Sequence, residues 1–82
     1  MTNKELIALM LPRFGDHLLL DITHDGYIRL IKPVWFNLGH IDECKVEAMN
    51  DGLKIINEHI TVELYTDDWR VPFIHYFNYK SK

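Results

Sequence analysis

Adding 42 to each position from Asp16 to Asp25 lays "DHLLLDITHD" on "EHITVELYTD", Glu58 to Asp67, without a gap. His17 falls on His59 and Asp25 on Asp67, while Asp16/Glu58, Leu18/Ile60, Leu20/Val62, Asp21/Glu63 and Ile22/Leu64 are chemically similar pairs. The same offset sets Glu5 on Glu47, Leu11 on Leu53, and Ile7 on the equally apolar Met49. Past the turn the offset becomes 41, which aligns Arg29 with Arg70 and "WFN" at 35–37 with "YFN" at 76–78. A repeat of this kind constrains the fold strongly, because each copy must build the same local structure. Two amphipathic strands always look somewhat alike, and alternation alone would reproduce the Leu/Ile/Val matches. The paired histidines, acids and turn aspartates go beyond alternation. The chain therefore reads as one domain, 1–82, with repeat halves 1–37 and 42–79 joined by the short linker "PVWFNLGH" at 33–40.

Each half has its own periodicity. Thr2 with Glu5 has capping-box spacing, and Leu6, Ile7, Met10 and Leu11 follow at helical intervals until Pro12, so a helix is expected over about 4–11. Leu18, Leu20 and Ile22 share one strand face, and His17, Leu19, Asp21 and Thr23 share the other. The "HDG" at 24–26 supplies a turn, returning 27–32 as an antiparallel partner with Asp21 opposite Arg29 and Leu20 opposite Leu30. In the second half Ala48, Met49, Gly52, Leu53 and Ile56 recur at helical spacing, predicting a helix over 43–57. The rival is a hairpin, since "CKVEAM" alternates and "NDG" at 50–52 is a turn signal. Equivalence with the helical start of the first half favours the helix. Ile60, Val62 and Leu64 then repeat the buried strand face, with a turn at "TDDW" and a last strand through about Asn78.

The expected architecture is α+β: an αββαββ internal duplication forming a two-layer sandwich, its four-stranded antiparallel sheet covered by two helices on one face. The expected core comprises Leu6, Met10, Leu18, Leu20, Ile22, Met49, Leu53, Ile56, Ile60, Val62 and Leu64. Apolar residues at 48% can fill such a core, although 82 residues lie just above the size at which small domains need disulfides, metal or self-association. Cys44 has no partner cysteine, which points to a reducing, cytoplasmic setting. No membrane-spanning stretch or secretory leader is expected.

Twelve acidic against nine basic residues give a net charge of −3, with no basic stripe beyond the tail Lys80-Ser81-Lys82, so phosphate-backbone binding is disfavoured. No metal-ligand run, Gly-rich loop or nucleophile motif occurs, and no cofactor is expected. The alternative reading is a small-ligand or metal-dependent enzyme in which His17 with Asp21, and His59 with Glu63, converge from neighbouring strands. Solvated strand residues in cross-strand salt bridges explain the same pattern more simply. Stronger is the run of aromatic and arginine residues on expected outward positions: Tyr27, Arg29, Tyr65, Trp69, Arg70 and Tyr76. These types dominate protein-binding hot spots. The expected function is a small non-catalytic protein-interaction domain, a regulator or inhibitor that occupies a partner's surface, with self-association as a further route. Its size and kind suit the compact inhibitors encoded by mobile genetic elements.

Overall fold

A computed structural model describes residues 1–76, and Tyr76 is the last residue of its final strand. Helix α1 runs Asn3–Met10. Its start is fixed reciprocally: Thr2 Oγ1 accepts from the Glu5 backbone N–H at 3.1 Å, and Glu5 Oε1 accepts from Thr2 N–H at 2.8 Å. Pro12 lies in the one-turn 3-10 helix Leu11–Arg13 that ends it.

Among the described residues seven strands follow: β1 (Leu19–Ile22), β2 (Tyr27–Lys32), β3 (Phe36–His40), β4 (Lys45–Met49), β5 (Gly52–Ile56), β6 (Ile60–Tyr65) and β7 (Phe73–Tyr76). They form two antiparallel sheets, β1-β2-β3 and β4-β5-β6-β7. The β1–β2 hairpin has the expected register, with Asp21 opposite Arg29 and Leu20 opposite Leu30. Its turn closes by Thr23 N–H to Tyr27 O at 2.9 Å, and Gly26 takes the positive φ of 96° that glycine adopts without strain.

The fold is mostly β, which corrects the two-helix α+β sandwich. The segment 43–57 is the β4–β5 hairpin, with Val46 opposite Ile55 and Ala48 opposite Leu53. Strand period puts Val46, Leu53 and Ile55 in the core, whereas a helix would have selected Ile56, which is only half-buried. The αββαββ duplication falls with that helix. At the 42-residue offset α1 is matched to β4 and its turn, and at 41 β2 is matched to the loop leading into β7. The supposed linker holds β3. The expected continuation of the last strand to Asn78, the "YFN" match, Tyr79 and the basic tail lie outside the described residues, apart from Tyr76.

One cluster of buried side chains joins α1 to both sheets: Ile7 and Met10 from α1, Leu20, Ile28, Leu30 and Leu38 from the first sheet, and Val46, Leu53, Ile55, Ile60, Val62 and Leu64 from the second, with Ile74 of β7 packed against it partly buried. Phe14, Leu18 and Cys44 complete it. Helix α1 packs on β4 and β5, and the Asn3 side chain donates to Cys44 O at 2.7 Å and Ile41 O at 3.2 Å, tying the helix to the entry of β4. Leu6 and Ile22 pack on the cluster partly buried, and Met49 is also half-buried.

Candidate functional site

Strand period sets what the second sheet shows to solvent. Glu47, Lys54, Glu63 and Phe73 lie in one outward row, since Val46, Ile55, Val62 and Ile74 form the inward row beside it. Tyr65, two residues on from Glu63, shares that outward face. Its hydroxyl donates to Glu63 Oε1 at 2.6 Å, and that bond to a carboxylate, reinforced by desolvation, holds the phenol pKa above its ordinary value.

Residues 66–72 then cross the end of the sheet, and Arg70 folds back over it. Its Nη2 donates to Asp51 Oδ2 in the β4–β5 turn at 2.8 Å, and its Nε to Asp67 Oδ2 at 2.9 Å, with Nη2 also meeting Asp67. The guanidinium lies over the Tyr65 ring, 4.2 Å from its centroid, and 5.2 Å from that of Trp69. Thr66 fixes the loop base through its N–H to Asp51 O at 2.8 Å. The bond from Arg70 keeps the Asp51 carboxyl below the usual aspartate range, and Asp51 in turn raises the Arg70 pKa.

This scaffold leaves large apolar groups in water. Trp69 and Val71 are each 76% exposed and Phe73 51%. With Tyr65, Arg70 and Pro72 they line an open groove of about 400 Å³. Val71 and Phe73 were not among the expected binding residues, although "WRVPF" alternates apolar side chains at 69, 71 and 73.

The six expected binding residues thus fall in three places. Tyr65, Trp69 and Arg70 are brought together. Tyr27 and Arg29 lie on the outer face of the other sheet, where Arg29 makes a two-pronged contact with Asp21 (Nε–Oδ1 3.0 Å, Nη2–Oδ2 2.7 Å) and Tyr27 meets His40 edge-on at 5.1 Å. That bond lowers the Asp21 pKa. Tyr76 pairs with Ile60 on the inward parity and packs edge-on against Phe36, ring centroids 5.8 Å apart.

The four residues of the metal alternative are not gathered. β1 and β6 belong to different sheets. Asp21 is engaged by Arg29 and Glu63 by Tyr65, while the His17 ring bonds Tyr65 O at 3.2 Å and His59 stands 3.6 Å from Glu58. Among the described residues no three His, Cys, Asp or Glu side chains are placed to share an ion. Cys44 is buried, and burial pushes its thiol pKa up, the wrong direction for a nucleophile. The His40 ring bonds Asp25 O at 2.9 Å and accepts from Asp42 N–H at 3.1 Å. Among the described residues no helix is long and apolar enough to cross a membrane.

The chain matches no protein-family model, no curated protein and no solved structure.

Proposed function

We propose that this chain is a small non-catalytic protein-interaction domain that regulates or inhibits a partner by occupying its surface, with Tyr65, Trp69 and Arg70 at the centre of the contact. One observation carries the reading: an exposed indole stands beside an arginine already fixed by two aspartates, on the lip of an aromatic groove. Fixing matters because association costs about 0.5–1.5 kcal/mol for each flexible side chain it immobilises, and here that ordering precedes binding. Exposed tryptophan adds large contact area with two rotors. Tyr27 and Arg29 form a second, smaller surface, and Tyr76 lies apart from both. The lone, buried Cys44 fits a reducing compartment, and we place the protein in the cytoplasm on that ground.

The test is capture of a target from native lysate by the tagged chain, followed by titration calorimetry with the purified target. Trp69→Ala should weaken binding by at least about 2 kcal/mol, roughly thirtyfold, with the circular dichroism spectrum unchanged. Absence of any stoichiometric target, or a target held with full affinity by Trp69→Ala and Tyr65→Ala, would remove the proposal.

A further inference from the structure

We infer that the partner presents to the Trp69–Val71–Phe73 groove a short segment in which an apolar side chain stands next to an arginine, the apolar group entering the groove and the guanidinium stacking on the exposed indole of Trp69 beside Asp68. The inference rests on the interaction surface proposed above and names the chemistry of its occupant. Charge selects that chemistry. Arg70 meets both Asp51 and Asp67, two carboxylates against one guanidinium. Asp68, next to Trp69 in the chain, is exposed, makes no ion pair among the described residues and adds a further negative charge. Lys54 stands opposite Glu63 in the ladder and offsets only that acid. On the other side of the loop a hollow of about 550 Å³ is lined by Asp16, Asp67 and Asp68 with Arg13, whose guanidinium donates to the Asn50 carbonyl. Such surroundings repel a phosphate-rich or acidic partner and attract a cation.

The rings select which cation. A guanidinium is planar, weakly hydrated and able to stack on an aromatic face while it pairs with a carboxylate, and tryptophan offers the strongest such face. Arg70 already makes this contact within the chain, over Tyr65 and bonded to two aspartates. Trp69, 76% exposed, offers the same chemistry to an arginine from outside, with Asp68 as its counter-ion. Area sets the length of the occupant. At their observed exposures Trp69, Val71 and Phe73 present roughly 400 Å² of apolar surface, about half of the 800 Å² that a standard interface buries per partner. With a groove of about 400 Å³ between them, that footprint suits a short linear segment and not the face of a second folded domain.

Fluorescence anisotropy of a fluorescein-labelled octapeptide of alternating leucine and arginine, titrated with the full chain, tests this. The expected result is saturable binding with a dissociation constant below about 1 mM, at least tenfold (about 1.4 kcal/mol) tighter than that of the twin peptides with glutamate for arginine or serine for leucine. Affinity should fall as salt rises from about 50 to about 300 mM. Asp68→Lys and Trp69→Ala should each weaken binding at least tenfold, with circular dichroism spectra unchanged. Glu58→Lys, at the opposite end of β6 from Tyr65, should change it less than about threefold and so separates this site from a general attraction to an acidic protein. No saturable binding below that limit, equal binding of the glutamate twin, or an affinity indifferent to Asp68→Lys or Trp69→Ala overturns the inference. If a captured target still depends on Trp69 in that case, only the chemistry of the occupant is wrong and the earlier reading stands.

Discussion

A methyl group at position 52 would stand 1.9 Å from the carbonyl oxygen of Leu64 and 3.1 Å from Cα of Tyr65. Those atoms are backbone of the neighbouring strand β6 and cannot swing aside, so Gly52→Ala must push β5 and β6 apart. It is expected to cost about 1–3 kcal/mol or more in chemical denaturation. Leu20 and Val62, at 2% and 0% exposure, are the matching test of the core, and alanine at either should cost about 1–4 kcal/mol from lost transfer energy plus the cavity left behind. A midpoint and slope unchanged by both would mean that these faces point to solvent. Asp51 supplies a pH test. Its pKa is lowered in the folded chain, so the unfolded chain binds the proton more readily. Its contribution is therefore complete above the ordinary aspartate value of about 3.9 and is lost as pH falls through the lowered folded value. Trp69 emission, read in Trp35→Phe, should change as Asp51 protonates and loses its bond to Arg70, and Asp51→Asn should remove that change.

At the level of elements, the sequence was most readable where one signal stood alone. The capping box and Pro12 delimited α1, and the alternation of Leu18, Leu20 and Ile22 with the Asp-Gly turn determined the β1–β2 register. It misled where two periods overlapped. Ala48, Met49, Gly52, Leu53 and Ile56 satisfy a helical spacing by coincidence, and resemblance to the first half tipped the choice. What decides in the folded chain is tertiary: β5 lies between β4 and β6, and only an extended strand lets Leu53 and Ile55 face the core while Gly52 meets Leu64 and Tyr65 closely. β3 was hidden in a segment whose Pro33, Asn37 and Gly39 read as linker. The joint between helix and sheet can be tested separately. Asn3→Ala leaves two part-buried carbonyls, of Ile41 and Cys44, without the donor they now share, and should cost about 1–3 kcal/mol. Thr2→Ala, which loses only an exposed cap, should cost about 1 kcal/mol. Equal and negligible losses in thermal melts would mean that α1 contributes little to the fold.

Across the whole molecule, the similarity between 16–25 and 58–67 lies in two strands, β1 and β6, that now sit in different sheets and are flanked by unlike elements. For that reason His17, Asp21, His59 and Glu63 do not meet. The proposed binding surface was legible by residue type but not by place. Tyr65, Trp69 and Arg70 are near in sequence, yet what fixes them is the reach from Arg70 to Asp51 across 19 residues, which depends on the β5–β6 register. The exposure of Val71 follows from the path of the 66–72 loop, and that of Phe73 from the β6–β7 register, neither of which is visible in residue type. The fold thus places the exposed Trp69, Val71 and Phe73 at one end of one sheet around a pinned arginine, gives Tyr27 and Arg29 a separate face, and exposes Trp35 and Tyr76 elsewhere. Calorimetric titration of the captured target against Trp69→Ala and Tyr27→Ala tests that arrangement most directly. Binding should fall at least about thirtyfold in the first, against less than about threefold in the second, with both variants folded. Unchanged affinity in Trp69→Ala, or a larger loss in Tyr27→Ala, would contradict it.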